Sequence, residues 1–152
     1  MTGEIGGGVP LEKDLVRERL EFLPTLFENK FKNAQIISKD GSTTGGSNTL
    51  YTVPPNHELW IIHTSFGGHS LTSGPAQITA GNFLIDNGTG NVVHDIYKGF
   101  MNESVEDILT YSDTWPWPLQ VLPGERVRVT RPSTHMVFWA SFTGFLIKKP
   151  II

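Results

Sequence analysis

The sequence predicts an all-β protein, an antiparallel β-sandwich of about eight strands carrying a helical arm at its N-terminus. Three observations predict it. Turn formers are abundant, with 16 glycines and 10 prolines in 152 residues, and aromatics reach 11%. Short apolar runs recur between turn signals from residue 34 onward, as in sandwiches and barrels. Between them lies no alternating helical pattern of the kind that a parallel α/β sheet requires.

The arm comes first. Eleven of the 27 charged residues lie before Ala34, leaving 16 for the 119 residues that follow. That fall in charge density divides the chain into an arm, residues 1–33, and a β domain, residues 34–152. Residues 1–9 are Gly-rich and lack the basic-then-apolar order of a signal peptide. Pro10 suits the first position of a helix, where its missing N–H would be unpaired in any case. Leu11, Leu15, Val16, Leu20 and Leu23 recur at helical spacing, with Glu12, Lys13, Asp14, Arg17, Glu18 and Glu21 on the other face. Pro24 ends or kinks the helix, and Leu26, Phe27 and Phe31 follow as further apolar anchors. A helix this short is marginal in isolation, so it needs a surface to lie on, either a neighbouring subunit or its own sandwich.

The strands follow in order. Residues 34–38 are a short strand, and 40–48 a loop rich in Gly, Ser and Thr. Strands at 48–53 and 58–66 flank the turn Pro54-Pro55-Asn56. Residues 67–75 read as a loop and 76–86 as a strand. Asn87-Gly88 is a tight-turn dipeptide, leading into a strand at 92–97. Residues 105–111 suit a strand or a short helix. Strands at 119–122 and 126–130 flank the turn Pro123-Gly124, and 136–147 is a long closing strand.

Candidate chemistry is sparse. Without cysteine, disulfides and thiolate zinc sites are excluded. A net charge of −3 argues against general nucleic-acid binding, and no apolar run is long enough for a membrane span. His57, His63 and His69 share strand parity, but residues six apart on a strand are about 20 Å apart, too far to share one ion unless Gly67-Gly68 bends the chain. Nothing in the spacing of Asp86, Asp95, Glu103, Glu106 and Asp107 selects a catalytic pair, and solvated charges are the plainer reading. Gly-x-Ser-x-Gly is absent, and the Gly-rich stretches lack the context of a phosphate cradle. No catalytic residue, cofactor or metal ligand is assigned, and the chain is read as a non-enzyme. Arg126 and Arg128 share a strand face opposite Val127 and Val129, as a solvent-facing stripe or a contact to acidic loops of another subunit. Trp115-Pro116-Trp117-Pro118 reads as a rigid loop holding two rings, either folded over its own sandwich or offered to a protein or a glycan.

Three pieces carry a resemblance. Tyr51-Thr-Val-Pro-Pro-Asn-His-Glu-Leu-Trp-Ile-Ile and Pro118-Leu-Gln-Val-Leu-Pro-Gly-Glu-Arg-Val-Arg-Val are each two strands about a proline turn. Phe138-Trp-Ala-Ser-Phe-Thr-Gly-Phe-Leu-Ile is the last strand. Over residues 48–147 this order resembles the small jelly-roll or β-sandwich structural proteins of tailed phages and related viruses, of the capsid decoration, head fibre or tail attachment type. The resemblance implies a virion protein assembled in the host cytoplasm, a homo-oligomer with a trimer favoured, and contacts to other virion proteins. Leu15, Leu20, Leu23, Phe27 and Phe31 of the arm, with Trp115 and Trp117, would be the contact residues. A carbohydrate- or receptor-binding module using Trp115 or Trp117 is the alternative, and a cupin-like metal enzyme a more distant one.

Overall fold

A computed structural model describes residues 31–44 and 46–149. The chain divides into two compact units, residues 1–34 and 35–152. Within the described end of the first, the Ala34 N–H donates to the Phe31 carbonyl at 3.0 Å. Leu15, Leu20, Leu23 and Phe27, and the helix read through them, lie outside the described residues.

The second unit is all-β among its described residues. Eight strands follow one another: β1 (Gln35–Ser42), β2 (Asn48–Thr52), β3 (His57–Ser70), β4 (Ile78–Asp86), β5 (Val92–Asn102), β6 (Ile108–Val121), β7 (Arg126–Thr130) and β8 (Met136–Lys148). They form two four-stranded sheets, in the orders β1-β8-β3-β6 and β2-β7-β4-β5. Every pairing is antiparallel. The second half of the chain retraces the first, β5 pairing with β4, β6 with β3, β7 with β2 and β8 with β1. One long hairpin with its tip between β4 and β5, wrapped on itself, gives this order.

Alternation along the strands decides what lies between the sheets. One sheet contributes Ile37, Leu59, Ile61, Phe66, Phe138, Ala140, Phe142 and Leu146, and the other Phe83, Ile85, Met101, Val127 and Val129, to one shared core. Phe66 stands at its centre, stacked on Phe83, Tyr97, Tyr111 and Phe138 at centroid distances of 5.5–6.5 Å. Burying a side chain of this size is worth about 1.5–3 kcal/mol. Two layers facing one core are a β-sandwich.

Several elements differ from the sequence reading. Gly67 and Gly68 do not open a loop; they lie inside β3, which runs on to Ser70. They are present because rings from β8 press against them. A Cβ on Gly67 would fall 2.4 Å from the Trp139 ring, and one on Gly68 would fall 2.6 Å from the Phe138 ring. Asn87-Gly88 is not a two-residue turn, since the connection spans residues 87–91 and is closed by Asn87 N–H donating to the Asn91 carbonyl at 3.0 Å. Gly88 and Gly90 there take φ of +87° and +103°, a region glycine enters without steric cost.

The Trp-Pro-Trp-Pro segment is not a separate loop either; it belongs to β6. Ile61 pairs with Leu119 and His63 with Thr114, so residues 115–118 stand opposite Ile62 alone. The prolines thus occupy an excursion of an edge strand, where no ladder N–H is demanded of them.

Candidate functional site

The sheet β1-β8-β3-β6 turns one face away from the core, and its register aligns polar side chains in rows across it. Ser38, Thr143, His63 and Thr114 form one row, and Asp40, Ser141, Ser65 and Ser112 the next. The hydroxyls of Ser38 and Thr143 are 2.6 Å apart, and those of Ser65 and Ser141 2.5 Å. His63 bridges two positions of β6, with Nδ1 3.1 Å from the Thr114 hydroxyl and Nε2 3.4 Å from that of Ser112. In the third row stand Ser42, Trp139, Gly67 and Thr110.

Trp139 is the large ring of this face. Its indole lies across β3 where Gly67 has no side chain, and it keeps 37% of its surface exposed. His69 sits beside it, at 6.0 Å between ring centroids. Next to the indole a groove of about 450 Å³ is lined by Asp40, Gly41, Ser42, Trp139, Ala140 and Ser141. That volume is in the range of small-ligand sites.

A second surface is apolar. Strand β5 ends one sheet and β6 ends the other, so both present open edges. Along them Val92, Val93, Phe100, Ile108, Tyr111 and Trp117 are exposed, Phe100 and Ile108 by 61% and 65%. The Lys98 ammonium lies 5.9 Å from the Phe100 ring centroid.

The two tryptophans singled out in the sequence part company here. Trp115 packs against the core, and its indole N–H donates to the Thr64 hydroxyl at 2.9 Å. Thr64 also meets the Tyr97 hydroxyl at 3.1 Å, and Tyr97 donates to Asp113 at 2.7 Å. Burial first, then the hydrogen bond to Asp113 and the Asp113 charge, raises the Tyr97 phenol above its ordinary range. Trp115 therefore joins β3, β5 and β6 within its own sandwich. Trp117 is 62% exposed.

Two carboxylates read as solvated charges are fully buried instead. Asp86 accepts Arg126 Nε and Nη2, each at 2.8 Å, Arg128 Nη1 at 2.9 Å and the Gly88 N–H at 2.9 Å. The Arg126 guanidinium, foremost, holds its carboxyl well below the usual carboxylate range. Arg126 and Arg128 thus pair with a carboxylate of their own sheet, which corrects the reading of them as a solvent-facing stripe. Glu103, also 0% exposed, accepts the Thr79 hydroxyl and, at 3.3 Å, the Gln77 amide. The Thr79 bond is the main cause of its lowered pKa. Its own carbonyl accepts the Gly74 N–H at 3.1 Å, so Glu103 ties the β3–β4 connection to the end of β5.

Among the described residues no three histidines, aspartates or glutamates gather as metal ligands. No protein-family model matches the chain. A comparison with curated proteins likewise finds no match.

Proposed function

We propose that this chain is a virion structural protein, a capsid-associated decoration or attachment subunit that works through protein–protein contacts and catalyses no reaction. The order β1-β8-β3-β6 facing β2-β7-β4-β5 supports a jelly-roll reading of the sandwich. Eight strands in two Greek keys are a build used by viral capsid domains, lectins and cupins. The observation that carries the structural reading is the apolar flank along β5 and β6. Two adjacent open edges with Phe100, Ile108 and Trp117 exposed are what a subunit contact requires and what an isolated domain avoids.

On this reading the partners are further copies of the chain, as a trimer, and other virion proteins, and the chain resides in the virion after assembly in the host cytoplasm. Trp117, with the arm residues Leu15, Leu20, Leu23, Phe27 and Phe31, supplies apolar contact area; Trp115 is spent on its own fold. Light scattering of the purified full chain tests it. A stable trimer is expected. A monomer at every concentration, with the number of subunits unchanged on removing residues 1–33, would overturn the reading.

A further inference from the structure

We infer that the groove beside Trp139 is a saccharide-binding site for an uncharged sugar. The inference is independent of the assembly reading, because it concerns the face of β1 and β8 and not the β5/β6 flank.

Two features of the groove meet what a sugar presents. A pyranose has an apolar C–H face and a rim of hydroxyls. Trp139 offers the first partner. Its ring lies on the β3 backbone, fixed by the absence of a side chain at Gly67, so one ring face is backed by protein while the ring keeps 37% exposure. A ring immobilised before binding loses little entropy on stacking, which is the advantage of preorganisation. Its electron-rich face attracts the weakly positive C–H groups of a sugar.

The rim meets the second partner. Asp40, Ser42 and Ser141 line the same groove. A carboxylate accepts hydrogen bonds from sugar hydroxyls and makes the stronger, charge-assisted kind. Serine hydroxyls donate or accept by rotation, matching groups that do both. The neighbours Ser65 and Thr44 hold them in place, with Ser65 Oγ 2.5 Å from Ser141 Oγ and Thr44 Oγ1 2.9 Å from Ser42 Oγ. Among the described residues no lysine or arginine lines the groove, and Asp40 repels anions, so a sialylated or sulfated sugar is disfavoured and a neutral hexose or N-acetylhexosamine fits.

The test is a titration of the full chain with neutral hexose and N-acetylhexosamine oligosaccharides, followed by the Trp139 indole resonance and by calorimetry. Saturable binding that perturbs Trp139 is expected. Trp139→Ala and Asp40→Asn should each weaken it about tenfold, and Gly67→Ala, which displaces the ring, should weaken it too. Trp117→Ala should leave it unchanged. Far-ultraviolet circular dichroism of each variant confirms the fold. Absence of any shift in the Trp139 resonance with all of these sugars would overturn the inference, as would binding that survives Trp139→Ala or is lost in Trp117→Ala alone.

Discussion

Replacing Asp86 by asparagine removes a buried charge and leaves two guanidinium groups facing an amide. In the native sheet the carboxylate accepts three N–H bonds from Arg126 and Arg128 and one from Gly88. Breaking a buried ion pair from one side costs about 3–5 kcal/mol. The arginine side chains keep 27% and 22% exposure, so water takes up part of their charge and the low end, about 3 kcal/mol, is expected. For a domain of this size that lowers Tm by about 10 °C. The loss is also pH-dependent. The folded-state pKa of Asp86 is depressed, so the unfolded chain takes up the proton first and the stabilisation is lost as pH falls below about 4, the unfolded value. The difference between native and Asp86→Asn chains should therefore be full at neutral pH and shrink in acid. Urea unfolding of both across that range measures it. A neutral-pH difference under about 1 kcal/mol, or one that does not change with pH, would refute the reasoning.

Glu103→Gln should lower Tm and raise cleavage of the β3–β4 connection in limited proteolysis, because the carboxylate binds Thr79 and Gln77 together. Its contribution, from a depressed folded pKa, is likewise present at neutral pH and lost in acid, which a pH series of melting curves would follow. Gly81→Ala would place a Cβ 2.3 Å from the Phe138 ring, and such overpacking should cost about 1–3 kcal/mol in chemical denaturation. Trp115→Phe, which abandons the Thr64 bond, should cost about 1 kcal/mol, while Trp117→Ala should stay within about 0.5 kcal/mol in the same assay.

The strands that were legible from sequence are those whose turns announce themselves. Pro54-Pro55-Asn56 and Pro123-Gly124 bracket β2, β3, β6 and β7 by chemistry that acts over a few residues. Gly67-Gly68 gave the same local signal for a different reason. There the glycines make room for Trp139 and Phe138, residues some seventy positions away, and only the β3–β8 pairing shows why. The prolines around Trp117 are incompatible with a regular ladder, and an edge-strand excursion satisfies them as well as a loop does. Asp86 and Glu103 were invisible as buried groups because Arg126 lies 40 residues from the first and Thr79 lies 24 from the second. The Trp139 groove was illegible for the same cause. Its walls come from β1 and β8, which sit at opposite ends of the domain sequence, and the sole sequence signal was an outward-facing Trp in the last strand.

Assembly as proposed requires copies of this chain to join through the β5/β6 flank. The most direct measurement is the light-scattering mass of the full chain beside that of the Phe100→Glu/Ile108→Glu double variant. Both positions are exposed on edge strands, so charge there leaves the core untouched, and circular dichroism should show the β fold retained. A trimer is expected for the native chain and a monomer for the folded variant. A variant of unchanged oligomeric mass would contradict assembly through this flank.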